Sequence, residues 1–221
     1  MPKVAVCLSG CGFLDGSEIH EAVFTLLALD QARAEIVCCA PDKPQFKVVD
    51  HGKRADAAGE TRNVLTESAR IARCEIVPIR QIKAKDIDAL VFPGGFGAAL
   101  NLCTFGADGP DCSVDPDVES LVNDMVEMNK PIGAICIAPA LIARILGKKN
   151  IAAKLTIGTD PGTAGALANM GAQHCDCPAT DMVTDHEHKV VTTPAYMLAK
   201  GPAEVHEGIS KAIKELLKII G

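Results

Sequence analysis

The stretch PIGAICIAPALIA, residues 131–143, changes its period partway along. Up to Cys136 it is a nearly unbroken apolar run, the pattern of a strand covered on both faces. From Pro139 onward apolar residues continue with a proline at the first helical position, where its missing N–H costs nothing. A doubly buried strand running straight into a helix is one βα step of a layered α/β sheet. Cys136 stands at the joint, where a sharp strand-to-helix turn presents its side chain as a nucleophile elbow.

Outward from that joint the same alternation fills the chain. Strands are expected at Lys3–Ser9, Ala34–Ala40, Asp88–Phe92, Pro131–Cys136, Lys154–Gly158, Met182–Thr184 and Val190–Thr192. Helices are expected at Glu18–Arg33, Thr61–Arg73, Asp117–Met128, Pro139–Leu146, Gly162–Met170 and Ala203–Ile219. The last carries Ile209, Ile213, Leu216, Leu217 and Ile220 at helical spacing. Asp115 before Pro116 reads as a capped helix start. TDHEHKVV, residues 184–191, suggests an antiparallel hairpin near the end. The expected fold is a doubly wound, mostly parallel sheet between helices, in one domain spanning 1–221 without repeats or linkers.

Composition excludes several classes. With 48% hydrophobic and 23% charged residues the chain can bury a sizeable core. Its 22 basic and 28 acidic residues give a net charge of −6, and the basic ones are scattered, so no nucleic-acid partner is expected. The apolar run Ile132–Ile142, broken by Gly133 and Pro139, is too short to span a membrane. MPKVAVCLSG enters a strand pattern directly, with no signal-peptide layout. A cytoplasmic location and ten reduced cysteines are the corresponding expectations.

Ligands of open α/β sheets bind beyond the carboxyl ends of the strands. Three segments meet there: SGCGFLDGSEIHE (9–21), FPGGFG (92–97) and GAICIAP (133–139). A thiol at a helix N-terminus feels the positive end of the dipole, which favours thiolate and predicts a lowered pKa for Cys136. The bland alternative is a cysteine filling a small core gap. The glycines of PGGFG let the backbone approach a ligand, and the amides of Gly95 and Ile137 together would form an oxyanion hole. Glu18 and Glu21 open a helix, and Asp15 with Glu18 fits a capping box. Glu21 lies off the stripe Ile19, Ala22, Val23 and Leu26, yet Phe24, Leu27 and Ala28 make this helix apolar nearly all round, as if covered on both sides. A carboxyl buried there beside Cys136 would have a raised pKa and share a proton with the thiolate or with substrate.

Other groups carry less. Cys11 is a candidate pocket residue, and Cys38 and Cys39 read as core. HCDC (174–177) lacks a second ligand pair at zinc-site spacing, so no metal is expected. His186 and His188 fall on the hairpin turn. No dinucleotide fingerprint is present, since PGGFGAAL has the wrong spacing.

With the elbow, the glycine turn and the acidic first turn together, the chain resembles the PfpI-type branch of the class I glutamine amidotransferase-like superfamily. More narrowly it is similar to the sigma cross-reacting protein group, also called isoprenoid-biosynthesis glyoxalases. LSGCG, DGSEIHE, DHGK, TRNVLTESARIAR, FPGGFGAALNL, KPIGAICIAPAL and KVVTTPAYM carry the resemblance nearly end to end. It implies a flavodoxin-like sandwich, Cys136 as nucleophile, Glu21 hydrogen-bonded to it with Glu18 as the substitute, Gly95 and Ile137 as oxyanion donors, and a homodimer. Departures matter as well: Ile137 stands where peptidase-like members have histidine, and DHEHK does not supply the amidotransferases' late histidine-x-glutamate pair. Thr159 and Asp160 stand where some glyoxalase relatives place a histidine. Peptidase and glutaminase activities are therefore not expected. The expected activity is a cofactor-independent glyoxalase-type lyase, a hydratase turning a small aldehyde or dicarbonyl such as glyoxal into glycolate. The alternatives are a redox-sensing or protective cysteine protein and a non-catalytic accessory in isoprenoid biosynthesis.

Overall fold

The alternation is realised as a seven-stranded sheet with helices on both faces, in a computed structural model that describes residues 1–220. The first half contains β1 (Lys3–Cys7), α1 (Ile19–Gln31), β2 (Glu35–Ala40), a ribbon of β3 (Val49–Asp50) and β4 (Ala55–Asp56), α2 (Val64–Ile71), β5 (Ile76–Pro78), β6 (Ala89–Phe92) and α3 (Phe96–Leu100). The middle carries α4 (Phe105–Asp108), α5 (Pro116–Glu127), β7 (Ile132–Ile135) and α6 (Pro139–Lys148). The chain ends with β8 (Lys154–Leu155), α7 (Pro161–Asn169), β9 (Gln173–His174), β10 (Val183–Asp185), β11 (Val190–Thr193) and α8 (Pro202–Lys218).

The sheet order is β10-β11-β7-β6-β1-β2-β5, parallel throughout except for β10, which pairs antiparallel with β11 at one edge. Strand residues divide by period two. Val4, Val6, Val91 and Ile135 face α1 and α8, while Ala5, Cys7, Leu90 and Phe92 face α5 and α6. On α8 the core stripe is Val205, Ile209, Ile213 and Leu216. Asp115 caps α5 as its sequence predicts, accepting from the amides of Asp117 (3.1 Å) and Val118 (3.4 Å).

The expected strand Lys154–Gly158 is corrected. Only β8 forms there, and it pairs parallel with β9 rather than joining the sheet. The amides that a sheet strand would use are taken by side chains: Lys154 donates to Asp185 Oδ2 (2.8 Å) and Thr156 to Thr192 Oγ1 (2.9 Å). Conversely, β5 is an edge strand that apolar periodicity misses, because three residues ending in Pro78 give little pattern, and an edge is where proline is tolerated. Among the described residues no helix is long and apolar enough to cross a membrane.

Candidate active site

The carboxyl ends of β1, β6, β7 and β11 lie side by side in the sheet, so the loops that follow them converge. After β7 the backbone turns through Cys136 at φ +63°, a left-handed conformation that a non-glycine residue adopts only when its surroundings enforce it. One enforcing contact is the Cys136 amide, which donates to Thr193 O of neighbouring β11 at 2.9 Å. The turn leaves Cys136 Sγ within reach of the amides of Gly95 and Ile137, both of which stabilise its anionic form.

After β6 the glycines are required sterically. A Cβ at Gly94 would overlap Cys136 Cβ and lie 2.5 Å from Glu21 Oε2, and Gly95, at φ +93°, packs directly on the backbone of residues 16–18. The loop after β1 is held by Asn101, whose side-chain amide donates to Ser9 O and Asp15 O at 2.8 Å each. Glu18, not Asp15, caps α1, with Oε2 accepting from the Glu21 amide at 2.7 Å. The expected capping role of Asp15 gives way because its buried Oδ2 accepts from Val49 N at 2.7 Å, tying the loop to the β3–β4 ribbon.

Glu21 is fully buried in the first turn of α1. Its Oε2 accepts from the Gly94 amide (3.0 Å) and its Oε1 from the Tyr196 amide (3.1 Å), while the carboxyl also shares a hydrogen bond with the Cys136 thiol. Burial pushes this carboxyl up to about 8 despite the two amides that favour its charge. Burial likewise pushes the Cys136 thiol well above its ordinary range, reinforced by the neighbouring Glu21, so the lowering expected from helix position is corrected. At 8% exposure, desolvation outweighs the pull of the two amides. Two buried acids in hydrogen-bond contact titrate as a unit, so the proton between Glu21 and Cys136 belongs to the pair.

A cavity of about 730 Å³ opens over Cys136. Phe13, Phe96, Ile137 and Met197 give it apolar wall, and Glu18, His20, Thr163 and Tyr196 supply polar groups. Sequence reasoning missed His20, Tyr196 and Thr163. His20 sits inside the quoted GSEIHE motif and Tyr196 inside TTPAYM, but nothing local reveals that His20 Nδ1 and Tyr196 Oη lie 2.7 Å apart.

The remaining candidates fall elsewhere. Cys11 is half-buried near Glu67, Arg70 and Asp15, on a stretch of loop bridged to Ser17, and does not line the cavity. Thr159 and Asp160 are exposed; Asp160 caps α7 by accepting from Thr163 N at 2.7 Å, so the helix aims Thr163 at the cavity instead. In HCDC, Cys177 is buried, and no cluster of three or more His, Cys, Asp or Glu side chains suited to a metal occurs among the described residues.

This architecture recurs in known proteins. The DJ-1/PfpI family model matches residues 12–199. A human relative, glutamine amidotransferase-like class 1 domain-containing protein 3, mitochondrial, is 43% identical over 99% of this chain and 84% of its own length. The zebrafish (Danio rerio) ES1 protein, mitochondrial, is 32% identical over 98% of this chain and 86% of its own. The crystal structure of an isoprenoid biosynthesis protein with amidotransferase-like domain from Ehrlichia chaffeensis superposes with a TM-score of 0.94, at 38% identity and full coverage of both chains. The expected cytoplasmic location is overturned by the first two, which are named mitochondrial. An organelle address is read by import machinery, so the composition of a folded domain does not disclose it. By the match over most of its length and these relatives, the chain belongs to the DJ-1/PfpI family.

Proposed function

We propose that the protein is a cofactor-independent hydratase of small dicarbonyls, converting glyoxal to glycolate through Cys136. What supports the reading is one arrangement: a thiol and a buried carboxyl sharing a proton, two amides directed at the sulfur, and a cavity above them. Glu21, as carboxylate, takes the thiol proton, and the sulfur adds to an aldehyde carbon, C1. The oxygen on C1 becomes an oxyanion held by the Gly95 and Ile137 amides and is protonated by Glu21 to give a hemithioacetal. Glu21 then removes the C1 hydrogen as a proton, the electrons move to the second carbonyl, and the resulting enediol is reprotonated on C2. The product is a hydroxyacid thioester. Water breaks its C–S bond, releasing glycolate and restoring the thiol. The sum is dicarbonyl plus water to hydroxyacid, with C1 oxidised and C2 reduced, so no external redox partner is consumed.

The test is to incubate the folded protein with glyoxal and quantify glycolate by NMR. Glycolate formed in proportion to enzyme and time is the expected result. Absence of turnover, with peroxide selectively oxidising Cys136 in intact-mass spectra, would favour the redox-sensing role instead.

The partner surface belongs to the same proposal. Ile19, Val23 and Leu27 on α1 are 44%, 44% and 39% exposed and, spaced four residues apart, form one apolar row on the helix surface. A second copy of this chain would cover it. Val23→Glu is expected to halve the mass seen by light scattering, from a dimer to the 23.1 kDa monomer; a wild-type protein that is already monomeric would refute the dimer.

A further inference from the structure

We propose that His20, oriented by Tyr196, is the donor that binds the second carbonyl oxygen of the dicarbonyl, the oxygen on the carbon that sulfur does not attack. The inference rests on the hydratase reading and supplies what that reading lacks. When the C1 proton leaves, charge collects on the C2 oxygen, and the Gly95 and Ile137 amides are already committed to the oxygen on C1.

The geometry is specific. His20 and Tyr196 both line the cavity that holds Cys136, and His20 Nδ1 lies 2.7 Å from Tyr196 Oη. Burial and the charges of Glu18 and Glu21 raise the pKa of the Tyr196 phenol, so it keeps its proton. With the phenol donating to Nδ1, the imidazole hydrogen of His20 sits on Nε2, which makes Nε2–H a donor. Among the described residues Nε2 has no hydrogen-bond partner, whereas Nδ1 is engaged; Glu18 Oε1, at 4.0 Å from Nδ1, is too distant to compete. Packing against Phe24 (centroids 6.0 Å apart) and Tyr196 (5.8 Å) restrains the ring. The donor is also one residue from Glu21 on the same helical turn, so acid and donor are fixed relative to each other by α1. Residue 196 therefore acts twice: its amide holds Glu21, and its phenol sets the tautomer of His20.

His20 would be a catalytic residue and Tyr196 a positioning residue. With glyoxal, His20→Ala is expected to lower kcat about 100-fold with little change in KM, the loss typical of one donor to a developing oxyanion. His20→Gln, whose side-chain amide can put an N–H near the place of Nε2, is expected to recover about tenfold of that. Tyr196→Phe keeps the main-chain amide on Glu21 and is expected to lower kcat about tenfold. In all three variants the rate of Cys136 alkylation by iodoacetamide should stay within about twofold of wild type, because the thiol machinery is untouched. If His20→Ala turns over normally while Cys136→Ala is dead, this inference fails and the hydratase reading stands. Alkylation falling in step with turnover would also overturn it, by showing that His20 only supports the fold. A wild-type protein with no glyoxal turnover removes the hydratase reading, and this assignment with it.

Discussion

Cys136→Ala is expected to abolish glycolate formation, lowering kcat by about 10⁴-fold or more, while the protein still folds. The size follows from the mechanism: every bond change proceeds through a carbon–sulfur adduct, so removing the sulfur leaves only solution chemistry plus whatever the oxyanion amides contribute to water attack. Cys136→Ser separates nucleophilicity from shape. Serine has nearly the same volume and its main-chain N–H still donates to Thr193 O, but its hydroxyl proton is far harder to remove than that of a thiol, and Glu21 is too weak a base to take it. Serine should therefore fail almost as completely as alanine. Stability losses should stay near 1–2 kcal/mol for a small buried side chain, read from urea unfolding. Unchanged turnover per folded molecule in either variant would end the proposal.

The elbow at Cys136 and the turn at Gly94 and Gly95 were legible because both are local: a strand period stops, small residues follow, and a helix begins. The core of the fold was legible for the same reason, since β1, β2, β6 and β7 are apolar on both faces. Contacts between distant residues were not. Glu21 stands out only through the quoted motif, because its partners Gly94, Cys136 and Tyr196 come from three other loops. The His20–Tyr196 bond spans 176 residues, and no periodicity predicts a bond of that range. The raised thiol pKa was hidden likewise. Sequence position reveals the helix start that favours thiolate, but desolvation depends on which side chains cover the turn, and here it prevails. Short strands such as β5, β8 and β9 have too few residues for any period to register, and their pairing is decided by the tertiary neighbours that complete their hydrogen bonds.

Glu21→Gln is the other variant with a large expected effect, and it acts on stability and activity in opposite pH directions. The carboxyl titrates near 4.5 when solvated and at about 8 in the folded protein, so the folded state holds a proton that the unfolded state has lost between those values. The stabilisation from that proton is complete below pH 4.5 and disappears as pH rises through 8, a change of about 5 kcal/mol. Wild-type stability should thus fall between pH 5 and pH 8.5 by more than that of Glu21→Gln, whose side chain does not titrate; histidines common to both cancel in the difference. Glutamine is not a neutral replacement, however. A protonated carboxyl can accept from the Gly94 and Tyr196 amides on separate oxygens and still donate to sulfur, whereas a glutamine must turn its NH₂ toward one of those amides. One buried N–H is left without an acceptor, at a cost of about 1–3 kcal/mol, so the variant should be the less stable protein at pH 5 and the more stable one at pH 8.5. Activity runs the other way. Below pH 8 the thiol and the carboxyl are both protonated, and neither sulfur nor base is available; kcat/KM of the wild type should climb up to tenfold per pH unit toward 8 and then level. Glu21→Gln should lower it by about 10²- to 10⁴-fold and flatten that profile. Parallel stability curves for the two proteins, or a wild-type rate that is flat from pH 6.5 to 9, would show that the proton shared by Glu21 and Cys136 does not govern this site.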